Sequence, residues 1–147
     1  MKKKNLKKFF AAAALFGAAL LLAYPLFTEE ARGEEEKKSC TVKAEIDKEC
    51  KSHPETFTVP EGKTAKDFKK LGFEAGEACH DSGAPENQGF AVRDSKNRPV
   101  YMWSQYKDQP PYEKGGPLES LTLEGGEYTL SVAGGAGAMI ELSYEVE

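Results

Sequence analysis

Leu121-Thr122-Leu123-Glu124-Gly125-Gly126-Glu127-Tyr128-Thr129-Leu130-Ser131-Val132, followed a few residues later by Ile140-Glu141-Leu142-Ser143-Tyr144-Glu145-Val146, is the stretch that decides the fold. Apolar and polar residues alternate through 121–123, 128–132 and 140–146. A period of two puts one set of side chains on a core and the other in water, which is the pattern of a half-buried strand. Glu124-Gly125-Gly126-Glu127 predicts a glycine turn between the first two strands, and Gly134-Gly135-Ala136-Gly137 predicts a hairpin turn before the third. The expectation is a three-stranded antiparallel meander. The second glycine run is no phosphate loop, because a strand pattern follows it rather than a helix.

Working upstream, residues 90–93 and 99–103 flank Asp94-Ser95-Lys96-Asn97, a polar connection of hairpin length. Residues 40–46 alternate cleanly, and 56–59 alternate again before stopping at Pro60-Glu61-Gly62. One helix is expected next: Thr64 can cap it, Asp67 completes a capping box, Ala65, Phe68 and Leu71 share a face, and Gly72 ends it. Residues 72–89 read as a long loop pinned by Cys79, and 107–117 as a loop rich in Pro and Gly. About seven short strands with turn signals between them and one short helix predict an all-β fold, an antiparallel β-sandwich of jelly-roll or immunoglobulin-like type. The alternative is a β-grasp-like α+β arrangement, whose order of elements is similar.

Phe57-Thr58-Val59-Pro60-Glu61-Gly62, the hairpin from Val92 to Val100, and Leu123-Glu124-Gly125-Gly126-Glu127-Tyr128-Thr129-Leu130-Ser131-Val132 together resemble the jelly-roll accessory domains of secreted bacterial peptidases, the pre-peptidase C-terminal family. That resemblance implies a β-sandwich without catalysis of its own. The three cysteines depart from the family's pattern.

The N-terminus speaks to compartment. Five lysines fall in the first eight residues, and the nineteen residues 9–27 carry no charge. This is the order of a signal peptide, with small residues at Ala31-Arg32-Gly33 predicting cleavage after Gly33. The competing reading is an uncleaved N-terminal membrane anchor, since nineteen apolar residues can span a bilayer. Residues 34–39 then form a disordered charged leader, and 40–147 a single domain, secreted or periplasmic. Beyond Gly33 there are 14 Lys and Arg against 22 Asp and Glu, a net of −8. A charge of that sign repels nucleic acid and anionic membranes, leaving protein or carbohydrate partners.

An oxidising compartment predicts a disulfide among Cys40, Cys50 and Cys79. A strand over 40–46 separates Cys40 from Cys50 by about 20 Å, whereas bridged Cα atoms lie within about 7 Å. The expected bridge is Cys50 with Cys79, leaving Cys40 as a small buried hydrophobe or an intermolecular thiol. The alternative is a metal site using Cys50, His53, Cys79 and His80, a ligand set suited to zinc. A small secreted hydrolase is the second alternative, but His80-Asp81-Ser82 are consecutive and cannot converge, and no Gly-x-Ser-x-Gly elbow occurs. No cofactor motif is present, Cys-x-x-Cys-His included.

The aromatics carry the functional expectation. Tyr101, Trp103, Tyr106 and Tyr112 cluster in one strand and the loop after it. Trp103 is expected in the core. Tyr106 and Tyr112, with Tyr101, are the expected ligand-binding residues of a non-catalytic binding module for a glycan or a protein partner.

Overall fold

The computed structural model describes residues 36–79 and 87–147. Eight strands follow in chain order: β1 (Lys38–Ile46), β2 (Ser52–His53), β3 (Glu55–Glu74), β4 (Asn87–Asp94), β5 (Pro99–Tyr106), β6 (Tyr112–Lys114), β7 (Leu123–Ala133) and β8 (Met139–Val146). A single 3-10 turn, Leu118–Ser120, lies before β7. All pairings are antiparallel, and the strands are ordered β2-β1-β8-β3-β7-β4-β5-β6. The all-β sandwich expectation holds, and the β-grasp alternative does not, because among the described residues no α-helix exists to lie on the sheet.

The two leaves of the sandwich are joined through β3. Its first part, from Glu55 to Val59, pairs with β7, and its later part, from Ala65 to Glu74, pairs with β8. Between them, Pro60 to Lys63 bulge out opposite the single residue Gly125 of β7. A Cβ on Gly125 would lie 2.9 Å from the Glu61 Cα and from the Pro60 carbonyl oxygen, so only glycine admits the bulge. Past this corner the sheet turns back on itself. Phe73, late in β3, meets Phe90 of β4 at 6.2 Å and Trp103 of β5 at 5.3 Å between ring centroids, which is contact across the leaves. One core results, with Val42, Ala44 and Ile46 from β1, Ile140, Leu142 and Tyr144 from β8, and Leu130, Phe90, Val92 and Tyr101 from the opposite leaf.

The expected helix over 64–71 is strand instead. Its helical spacing comes from two further bulges in β3. Asp67, at φ 54°, adds one residue opposite Tyr144, so Ala65 and Phe68 fall on the same face although three positions apart. The Phe68 and Tyr144 rings stack at 5.2 Å. A second shift between Lys70 and Gly72 leaves Leu71 as the extra residue, 56% exposed. Each bulge converts a period of two into a step of three.

Other expectations are corrected in the same way. Gly125 and Gly126 lie within β7, so no turn interrupts 123–133, and Leu121 follows the 3-10 turn rather than opening a strand. β7 and β8 are not neighbours, because β3 is inserted between them, so the meander is absent. Gly134 to Gly137 therefore make a crossover, held by the bridge of Glu77 with Ala136, and no hairpin turn. The loop over 107–117 contains β6, which pairs with β5 through Ser104, Trp103 and Met102. Lys38 and Ser39, expected in the disordered leader, extend β1 by pairing with Val146 and Glu145. The proposed signal peptide over 1–33 lies outside the described residues. No helix of the described residues is long and apolar enough to cross a membrane.

Candidate functional site

In an antiparallel ladder, residues directly opposite each other point to the same face. The register therefore gives the composition of the outer face of the β6-β5-β4-β7 leaf. One row reads Tyr112, Ser104, Gly89, Ala133, and the next reads Lys114, Met102, Ala91, Ser131. Tyr106 opposes Asn87 at the end of the same face. Small side chains along the middle strands leave a shallow trough of about 220 Å³, with Asn87 and Arg93 among its lining residues. Gly89 has no room for a side chain, because a Cβ there would run into the Trp103 carbonyl oxygen and the Ser104 Cα of β5. Tyr106 and Tyr112 stand beside it at 46% and 58% exposure.

Tyr101 does not join them. It alternates to the inner face and is 1% exposed, so its ring offers no surface to a ligand and its expected binding role is corrected. Alternation along β5 puts Tyr101 and Trp103 on one side, so the packing of Trp103 on the core carries Tyr101 inward with it. Trp103 does pack on the core, stacked at 6.0 Å on Phe90 and edge-on to Phe73.

Trp103 nevertheless keeps part of its surface at a second hollow, of about 200 Å³, where the leaves open beside β6. The Tyr101 hydroxyl donates to Glu113 Oε1 at 2.5 Å there. Burial first, and then this carboxylate, push the Tyr101 phenol well above the usual tyrosine range. Lys70 Nζ lies 5.1 Å from the centre of the Trp103 ring and 5.7 Å from that of Phe73, within cation–π range. Glu119 completes the lining. None of Lys70, Glu113 and Glu119 stood out in the sequence. Lys70 fell in the misread helix, and Glu113 in a stretch read as loop, so the alternation that faces it with Trp103 was hidden.

Cys50 of the β1–β2 connection and Cys79 form a disulfide, with Cα atoms 5.7 Å apart and a sequence separation of 29. Cys50 sits at φ 65° in a turn organised by Asp47, whose Oδ1 accepts from the Glu49 and Lys51 amides. Asp47 Oδ2 is 2.7 Å from His53 Nε2. The His53 hydrogen bond, followed by the Lys51 amide, holds the Asp47 carboxyl below the usual range. Sulfurs bonded to each other are not thiolates, so the metal reading loses two of its four ligands, and His53 is engaged by Asp47. Among the described residues no group of three or more His, Cys, Asp or Glu is placed to hold a metal ion. His80, and with it Asp81 and Ser82 of the hydrolase alternative, lies outside the described residues. Cys40 is half-buried against the core opposite Tyr144.

Compared with known protein families the chain matches none, and a search of curated proteins likewise finds no match in sequence.

Proposed function

We propose that this chain is an exported, non-catalytic binding module that takes a glycan on the outer face of the β6-β5-β4-β7 leaf. The observation that carries the reading is the shared face: two serines, an asparagine and an arginine line one open trough, and the register puts two exposed tyrosines on the same face of the leaf. Sugars present alternating apolar faces and hydroxyl edges. A flat ring beside hydroxyl and amide groups matches both, and few polar groups suffice to orient a ligand in such a site. Pro110 and Pro111 precede Tyr112 and restrict its backbone, so little order need be gained on binding. The disulfide and the lysine-led apolar N-terminus support an oxidising, extracytosolic setting. The resemblance to peptidase accessory domains supports a module without its own chemistry.

The test is affinity electrophoresis of the mature domain through gels containing a panel of neutral and acidic polysaccharides. Retardation by at least one of them is expected. Tyr112→Ala should weaken that binding by about 1 kcal/mol or more, the scale of an aromatic anchor, with Tyr106→Ala acting in the same direction. Migration unchanged by every polysaccharide, or retardation indifferent to both substitutions, would overturn the reading.

A further inference from the structure

The hollow on the inner side of β5 has a different chemistry from the outer trough. Its apolar wall is the partly open face of Trp103, backed by Phe90 and the buried Tyr101. Two carboxylates share the lining: Glu113, the cross-strand neighbour of Trp103, and Glu119. Among the described residues neither carboxylate has a cationic partner; Glu113 accepts from the Tyr101 hydroxyl. An aromatic ring beside carboxylates suits a group that is cationic at its tip and apolar along its stem.

The ring face already holds such a group. The Lys70 ammonium stands over both Trp103 and Phe73 and makes no ion pair among the described residues. Lys70 is exposed, on a strand segment where the register shifts at the next residue, so its stem can swing into water without disturbing the core. Space limits the guest. About 200 Å³ accommodates one long side chain. The net charge of −8 beyond Gly33 draws basic partners toward the domain.

We propose that this hollow receives one basic side chain, a lysine or arginine of an extracytosolic partner protein, and that Lys70 occupies the ring face until that side chain displaces it. The guest ammonium or guanidinium lies over Trp103 and pairs with Glu113 and Glu119. Lys70 is thus an internal competitor. An exposed cation–π contact changes an equilibrium by only about two- to fivefold, so it is readily displaced. This site is independent of the glycan face, since the two lie on opposite sides of β5.

Trp103 is the only tryptophan in the chain and its ring packs on the inner side of β5, so its fluorescence reports on this hollow, with Tyr112→Ala as the control for the outer face. Titration of the mature domain with a penta-lysine peptide should give a saturable change in that emission, whereas penta-glutamate should give none. Lys70→Met, which keeps the stem and removes the charge, should tighten penta-lysine binding about two- to fivefold. Glu119→Gln should weaken it about two- to fivefold, the scale of an ion pair made by an exposed carboxylate. Glu127→Gln removes the same charge outside the hollow and should leave the curve in place, as should Tyr112→Ala. Thermal midpoints of all four variants, matched to the parent, exclude unfolding as the cause, and Glu113→Gln repeats the carboxylate test should Glu119→Gln fail to fold. Equal responses to the two peptides, a Lys70→Met curve no tighter than the parent's, or equal effects of Glu119→Gln and Glu127→Gln would each overturn the proposal.

Discussion

The two faces of β5 share one backbone and each carries aromatic rings, yet the fold uses them oppositely. The inner face presents Tyr101 and Trp103 to the rings of Phe73 and Phe90 in the core. The outer face presents Ser104 and Tyr106, and beside them Tyr112 from β6, to water. The difference lies in the neighbour on the far side: the inner residues meet the other leaf, and the outer ones meet none among the described residues. Aromatic rings in the first setting contribute stability, and in the second they stay exposed to water.

The contrast is broken most severely by truncating an inner ring. Tyr101→Ala and Trp103→Ala should each cost about 3–5 kcal/mol in urea unfolding, with the fully buried Tyr101 at the upper end. Equal, small losses at both positions would mean that the inner face is not the core. A lesion that touches neither face of β5 sharpens the comparison. Reducing the bridge of Cys50 with Cys79 should lower stability by about 3 kcal/mol, the usual scale for a loop of this size, while leaving polysaccharide retardation intact below the unfolding midpoint.

Alkaline titration separates the tyrosines by proton affinity. Burial, then the neighbouring Cys40, push the Tyr144 phenol up to about 12, and Tyr101 is raised as well. A raised phenol favours the protonated folded state. Its contribution to stability is complete below the unfolded value of about 10 and is lost as pH climbs from there through about 12. Phenolate absorbance followed alongside circular dichroism should show the Tyr101 and Tyr144 signals, identified with Tyr→Phe variants, arriving only as structure is lost. Ionisation of both within an intact fold would refute their burial. The smallest effect belongs to the outer face, where Tyr112→Ala should change unfolding free energy by less than about 0.5 kcal/mol despite its cost in binding.

The strands that alternate without interruption were legible. Residues 40–46, 56–59, 90–93, 99–103, 128–132 and 140–146 all lie in strands where their pattern placed them. The hairpin at Asp94 was equally plain: Asp94 Oδ1 accepts from the Lys96 and Arg98 amides, and Asn97 takes φ 61°, a conformation asparagine tolerates. The disulfide partner was legible as well, since strand length excludes Cys40 from reaching Cys50. Bulges were not legible. At Asp67 and Leu71 an inserted residue reverses the parity of the strand beyond it, and three apolar residues at steps of three then imitate a helix face. The candidate sites suffered for the same reason. Lys70 lies between those bulges, and Glu113 lies in a three-residue strand that exists only because β5 offers it an edge.

By itself the sequence determined the features that depend on local chemistry: the alternation that makes this chain all-β, the turn at Asp94, the reach that joins Cys50 to Cys79, and the excess of acid beyond Gly33. The tertiary structure alone decided those that depend on residues far apart in the chain. The insertion of β3 between β7 and β8 removed the expected meander, and the folding of the sheet at Gly125 chose which side of β5 became core. A strand's period marks two faces as different but carries no sign, and the sign is set only when another leaf arrives to cover one of them.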